Sequence, residues 1–395
     1  MSSLLRSVVN TVLGPLDSDG RAQGHATAEE LLETAEQRSR LHDWGNRQFR
    51  DGLEALLDSL SEIEDLTRLG ALTFRKMIGQ ALVNRLRFVA EAANRPRLIA
   101  PVIITGLPRS GTTVLHRLLA VDPAFHAPPL WELLDPFANP RLDFRRWRTE
   151  AQIAFKNRLL PDLDRKHFTR ADTPEECTLL LANSLASSLF WDLAPLEGYL
   201  EWVQAADQRP VYEDYRRQLE ALQARRPDRR LLLKAPAHLG NLAVLHEIIP
   251  EARLIQTHRD PTACYFSHCS LRETLASFVL RVPPRQLIAD QVRRVFEHDL
   301  RASLEFHEDH PGETAHVACS ALQREPVHAL RQARVGLDLG WSRAIEDRTE
   351  CYLNRHPRGG HGRHRYSDTD WGFSKAAVSR LFIAYRERFS SDLET

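Results

Sequence analysis

The octet GLPRSGTT, residues 106 to 113, sets two glycines, an arginine and three hydroxyl side chains between the apolar run PVIITG and the helical run VLHRLLAV. A loop that joins a strand to a helix N-terminus exposes backbone N–H groups with no intrahelical partner, and the helix dipole adds partial positive charge. Such a loop is built to hold an anion. Glycine lets backbone approach the ligand. Ser110, Gly111, Thr112 and Thr113 offer hydroxyl and amide donors, and Arg109 brings charge from inside the loop. The phosphate loop of nucleoside triphosphatases needs a lysine directly after its last glycine, to reach the β- and γ-phosphates. Thr112 stands there instead, so magnesium-assisted triphosphate hydrolysis is disfavoured.

A second constellation is RLIQTHRDPTACYFS, ending at Ser267. Arg259 closes a strand-like run, Asp260 is a helix N-cap by type and Pro261 suits the first helical turn. Ser267 lies two turns further on, so Arg259 and Ser267 can converge on one phosphate. The triplet HRD also occurs in protein kinases, but the asparagine required five residues later is Tyr265 here, and no DFG follows. A third strand-like run, RLLLKAP, ends in Lys234. Ligands of open α/β sheets bind beyond the carboxyl ends of the strands. Arg109, Lys234 and Arg259 each follow such an end, and three cations on one crevice suit a ligand with several negative charges.

The elements that must position them are short apolar strands alternating with helical patterns such as HLGNLAVLHEII, which predicts a mainly parallel α/β sheet flanked by helices. Residues 1 to 98 form a helical N-terminal extension, and residues 99 to 395 the α/β domain, which carries a helical insertion at 128 to 228. Thr27 with Glu30 predicts a capping box. Leu53, Leu56, Leu57 and Leu60 recur on one helix face. Within the insertion, Thr173, Pro174 and Glu176 predict a helix start, with Glu175 and Glu176 assigned to its first turn. The residues HDWG at 42 to 45 have the types of a metal phosphohydrolase pair, but a chain corner explains them better, since no further ligands are recognisable.

Residues 101 to 136 resemble the 5′-phosphosulfate-binding loop, and the segment after it, of sulfotransferases that use 3′-phosphoadenylyl sulfate (PAPS). Arg259 and Ser267 resemble that family's 3′-phosphate site, where arginine and serine also stand eight apart. The tail HPRGGHGRHRYS resembles its late glycine-basic loop, with Arg358 and Gly359 in the positions that contact the 3′-phosphate. The likeness is greatest to the bacterial branch with a helical N-terminal extension, and covers most of the chain. It implies a P-loop-like nucleotide-binding fold without the triphosphatase lysine, and PAPS as the sulfuryl donor, with adenosine 3′,5′-bisphosphate as product. It also implies that Lys234 steadies the bridging oxygen as the sulfuryl group leaves. Related branches use a glutamate soon after the first helix as general base, which makes Glu132 the first candidate here. His238, four residues past Lys234 on the same crevice rim, is the second, and His167 the third.

Bulk properties agree. Lysine plus arginine and aspartate plus glutamate number 53 each, so charge gives no reason to expect nucleic acid. The five cysteines form no CxxC pair, which argues against disulfide frameworks and zinc knuckles; no metal site is expected. The most apolar stretch, CTLLLANSLASSLFWDL, is interrupted by Asn183, three serines and Asp192 and is too short and polar to span a bilayer, and the N-terminus lacks a signal-like apolar core, so a cytoplasmic location is expected. The acceptor is expected to be a small molecule with a hydroxyl or amine. Trp131, Phe137, Phe144, Trp147, Phe190 and Trp191 in the insertion suggest a partly apolar pocket for it. Two other readings stay open: a nucleotide kinase or NTPase, and a non-catalytic nucleotide-binding scaffold. No residue pattern specifies an oligomeric state.

Overall fold

The computed structural model describes residues 26–91, 96–137, 142–356 and 371–394. Five strands form its sheet: β1 (Val102–Thr105), β2 (Phe125–His126), β3 (Arg230–Lys234), β4 (Arg253–His258) and β5 (Thr314–Ala318). Their order is β2-β3-β1-β4-β5, and every pairing is parallel. β1 lies at the centre and is buried on both faces, as a near-continuous β-branched run requires. Ile104 pairs with Lys234 on one side, and Thr105 with Gln256 on the other. This register brings the ends of β1, β3 and β4 to one edge.

Leu115, Leu118 and Leu119 of the helix Thr112–Leu119 pack on Val102, Ile104 and Leu232 across one face of the sheet. The opposite face, with Ile103, Leu231, Leu233 and Leu254, joins a larger core that includes Leu53, Leu56, Leu82 and Tyr199. The helices Ala28–Ser39, Gln48–Ser61 and Arg68–Ala90 of the extension therefore share that core with the sheet. Arg85, buried in the third of them, donates to Asp214 Oδ2 at 2.8 Å, a fully enclosed ion pair that ties the extension to the insertion. The capping box of Thr27 and Glu30 is present in both directions. Asp43 Oδ1 accepts from Gly45 N–H at 2.9 Å and Gly45 has φ +70°, so HDWG is a chain corner.

The insertion departs from expectation at Thr173. The helix begins at Thr178, with Cys177 as its N-cap, while Thr173 Oγ1 is occupied by Arg170 N–H and C=O. The preceding segment runs extended between two partners. Leu130 N–H donates to Thr173 O, Glu175 N–H to Pro128 O, and Cys177 N–H to Lys234 O at 3.0 Å. These pairings satisfy backbone groups that a first helical turn would have left open. They also carry Glu175 and Glu176 to the end of β3.

Candidate active site

The loop after β1 is held in a shape that few residues tolerate. Gly106 has φ +137°, and a Cβ there would meet Thr257 O at 2.6 Å. Arg109 has φ +73°, a left-handed conformation uncommon outside glycine. Gly111 caps the helix Thr112–Leu119 at φ +98° without a side-chain hydrogen bond. The first-turn amides therefore face a cavity of about 720 Å³, which Gly111, Thr112 and Thr113 line together with Arg109 and Arg259. Ser110 is the exception. Its hydroxyl is fully buried against Leu107 O and Thr257 Oγ1, each at 2.6 Å, and its N–H donates to Leu107 O at 3.1 Å, so it braces the loop.

Two polar groupings stand at the strand ends. In the first, Arg109 Nε donates to Ser267 Oγ at 3.1 Å, and Arg259 Nη1 donates to Arg109 O at 2.9 Å. Asp260 caps its helix as expected, accepting from Thr262 N–H at 3.2 Å with Pro261 in the first turn, and this aims Ser267 back at the loop. Arg109, Arg259 and Ser267 thus come together. In the second, the Lys234 side chain is wholly buried, with Nζ 2.6 Å from Glu176 Oε1 and 3.3 Å from Thr113 Oγ1. β3 therefore delivers a cation to the same first turn where a triphosphatase would place its own lysine.

Glu176 and Glu175 both line the cavity. His167 Nε2 approaches Glu175 Oε2 at 3.5 Å. Burial by itself would raise the Glu175 carboxyl, but His167 and Lys234 outweigh it and hold it well below the usual carboxylate range. Sequence reasoning had missed both glutamates as functional candidates, because Thr173-Pro174-Glu175-Glu176 has the wording of a helix start. The signal that reveals them is the long-range bond from Cys177 N–H to Lys234 O.

The base candidates fall in different places. Glu132 is buried and turned to His126, whose Nε2 is 3.1 Å from Glu132 Oε2, while Leu130, Leu133 and Leu134 of the same helix line the cavity. His238 is fully enclosed, with Nδ1 2.8 Å from Tyr212 OH and Nε2 3.4 Å from Cys177 Sγ, and burial lowers it to about 3. The placement on a crevice rim expected for His238 is thus corrected: the turn Pro236–Asn241 points the ring into the core. His167 lines the cavity. Arg358 and Gly359 lie outside the described residues.

Of the insertion aromatics, Phe190 and Trp191 line the cavity. Phe144 and Trp147 are exposed, and Phe137 packs in a separate small cluster. Trp131 lies under the Arg145 guanidinium, 4.8 Å from its ring centre. The extension adds Met77, Ala81 and Asn84 to the lining, so the cavity has a charged end at the sheet and a mainly apolar end between helices.

A parallel sheet with a strand–loop–helix anion site and cations at three strand ends is a P-loop-like nucleotide-binding architecture. The family profile described as "Sulfotransferase family" matches residues 101–343, well over half the chain, and the protein belongs to that family. The omega-hydroxy-beta-dihydromenaquinone-9 sulfotransferases Stf3 of Mycobacterium bovis and Mycobacterium tuberculosis are each 28% identical to it over 210 residues, 51% of this chain and 53% of theirs. The chain thus spans about half the length of these curated relatives. The crystal structure of sulfotransferase STF9 from Mycobacterium avium shares the fold over 96% of this chain and 99% of its own, with TM-score 0.82 at 24% identity. That of STF1 from Mycobacterium tuberculosis covers 92% and 100%, with TM-score 0.75 at 25% identity. Among the described residues, no helix is long and apolar enough to cross a membrane.

Proposed function

We propose that this protein transfers a sulfuryl group from PAPS to a hydroxyl or amine of a small, partly apolar acceptor. The observation that carries the reading is the pairing of Lys234 with Glu176 at 2.6 Å, beside the N-terminus of the helix Thr112–Leu119, which carries no side-chain cap. A cation and a base held together at an anion-binding helix end are what in-line transfer to a hydroxyl requires. When bound, PAPS supplies an activated sulfuryl group on a phosphate leaving group.

The residues fit such a ligand by charge and by donor type. Arg259, Ser267 and Arg109 form one oxyanion grip, suited to a 3′-phosphate. The amides of Gly111, Thr112 and Thr113, with the Thr113 hydroxyl, form the other, suited to the phosphosulfate end. Lys234 Nζ holds positive charge where negative charge collects on the leaving oxygen. Glu176 takes the acceptor's proton on its carboxylate, and its contact with Lys234 fixes the carboxylate's orientation. We assign the base to Glu176, which lines the cavity, ahead of Glu132, which lies buried beside His126, and of His238, which the core encloses. His167 bears on Glu175 and helps keep that second carboxylate ionised.

Mass spectrometry of a broad panel of alcohols and amines incubated with PAPS should show an added sulfonate on at least one. No transfer anywhere, with the nucleotide bound, would leave the scaffold reading. Calorimetry separates the kinase reading: adenosine 3′,5′-bisphosphate should bind more tightly than ATP with magnesium, and the reverse order would overturn the donor assignment.

A further inference from the structure

We propose that Asp192, held by Arg272 and His268, is a second recognition point in the apolar half of the cavity and takes a neutral hydroxyl of the acceptor, remote from the group that is sulfated. This deepens the function proposed above and rests on it for the word acceptor.

The helix Ser188–Leu193 sets Asp192 into the cavity wall among Trp191, Leu271, Leu275 and Phe278. A carboxylate in such company needs a reason. Behind it stand two enclosed groups: the Asp192 side chain is 28% exposed, against 1% for Arg272 and 6% for His268. Arg272 Nη2 donates to Trp191 O and, at 3.0 Å, to Gln291 Oε1, and its guanidinium lies 4.3 Å from the Trp191 ring centre. Burial pulls Arg272 down to about 10 while Asp192 opposes the shift, so it stays a cation at neutral pH.

The hydrogen bonding around this cation is incomplete. Among the described residues, Arg272 Nε and Nη1, His268 Nδ1 and Asp192 Oδ1 are all buried and all lack a partner. Arg272 Nε is 3.7 Å and His268 Nε2 is 3.5 Å from Asp192 Oδ1, both longer than a hydrogen bond. Unmade bonds of this kind are costly, and folded proteins keep few of them. Asp192 and His268 line the cavity and Arg272 stands behind them, so a ligand group seated on Asp192 would relieve a cluster that packing alone leaves short of partners.

Charge then selects the ligand group. Arg272 and Asp192 offset each other. A ligand carboxylate would face Asp192, and a ligand ammonium would face Arg272. A hydroxyl suits both, donating to Asp192 while accepting from His268, the two members of the cluster that line the cavity. Sites that pair a substrate hydroxyl discriminate strongly against analogues lacking it, because the buried groups are then left unpaired.

The test uses n-octanol and its terminal diol as probes, with binding to the nucleotide-free full chain followed by ligand-observed NMR. The result therefore does not depend on which sulfuryl donor the protein uses. Wild type should bind the diol at least as tightly as the alcohol, despite the extra hydroxyl to be desolvated. Asp192→Leu should shift the diol-to-alcohol affinity ratio about tenfold against the diol, the value of one hydrogen bond to a charged group, and Asp192→Asn should shift it less. Because both changes remove the counter-ion of a buried arginine, folding is checked by thermal melt. If Asp192→Leu does not fold, His268→Phe, which keeps the stacking on Phe296, must lower the ratio instead. A wild type that prefers the alcohol overturns the proposal. So does an unchanged ratio in the folded variants, as a tightly held water at Asp192 would give.

Discussion

At the strand ends the charged groups sit where local backbone puts them. Arg109 lies inside the strained loop between Gly106 and Gly111, Lys234 is the last residue of β3, and Arg259 directly follows β4. Across the cavity the helical wall works differently. Met77 and Asn84 come from the extension, Phe190 and Asp192 from the insertion, and His268 and Leu271 from the helix after β4. No short stretch of chain builds that wall; the shared hydrophobic core does. The crevice is a local device and the wall a tertiary one, and Glu176 is the point where they touch. It belongs to the insertion by sequence and to the crevice by its bond to Lys234.

The sharpest way to break this contrast is to set the two glutamates against each other. Glu176→Gln should lower turnover by about 10²–10⁴-fold, the usual contribution of a positioned general base, with nucleotide affinity nearly unchanged. Glu132→Gln should stay within a few-fold of wild type in single-turnover assays. An inactive Glu132→Gln beside an active Glu176→Gln would return the base to the segment after the first helix. Lys234→Ala should come next, with a loss of about 10²–10³-fold in the chemical step, typical of removing one donor to developing charge. If the loss appears only in nucleotide affinity, the role given to Lys234 is wrong.

Arg259→Ala should act on binding. Losing a charged hydrogen bond of about 1.5–3 kcal/mol weakens adenosine 3′,5′-bisphosphate about ten- to a hundredfold. Adenosine 5′-phosphosulfate, which lacks the 3′-phosphate, should hardly notice the change. Equal weakening of both nucleotides in calorimetry would mean that Arg259 grips the other end.

The same contrast explains what the amino-acid sequence disclosed. The loop, the HRDP turn and the β3 lysine were legible because each is a contiguous pattern with a local physical cause: glycine at positive φ, an Asp N-cap with proline behind it, a polar residue at a strand end. The capping box at Thr27 was legible for the same reason. Thr173 to Glu176 misled because their wording fits a helix start equally well; only pairing with Pro128 and Lys234, distant in sequence, decides for extended chain. His238 misled for a related reason. Its distance from Lys234 along the chain was right for the rim, but the turn that follows β3 rotates it against Tyr212 and Cys177. Asp192 read as one polar interruption in an apolar run, and nothing near it in sequence announces Arg272.

His238 gives the smallest of these tests, and one that separates structure from chemistry. Its folded-state pKa is depressed to about 3 by burial, against 6.5 ordinarily. Between those values the unfolded chain binds a proton that the folded chain refuses, so acid favours unfolding, and stability falls as pH drops below about 6.5. One such group contributes a slope of at most about 1.4 kcal/mol per pH unit; His116, also lowered to about 3 by burial, adds a second. His238→Gln removes the titration while keeping a polar partner for Tyr212. Denaturant melts from roughly pH 6 down to pH 4 should therefore show a shallower loss of stability, by up to about 1.4 kcal/mol per unit, with turnover at neutral pH within a few-fold of wild type. A well-folded His238→Gln with an unchanged pH slope and abolished turnover would move the histidine from the core back to the crevice.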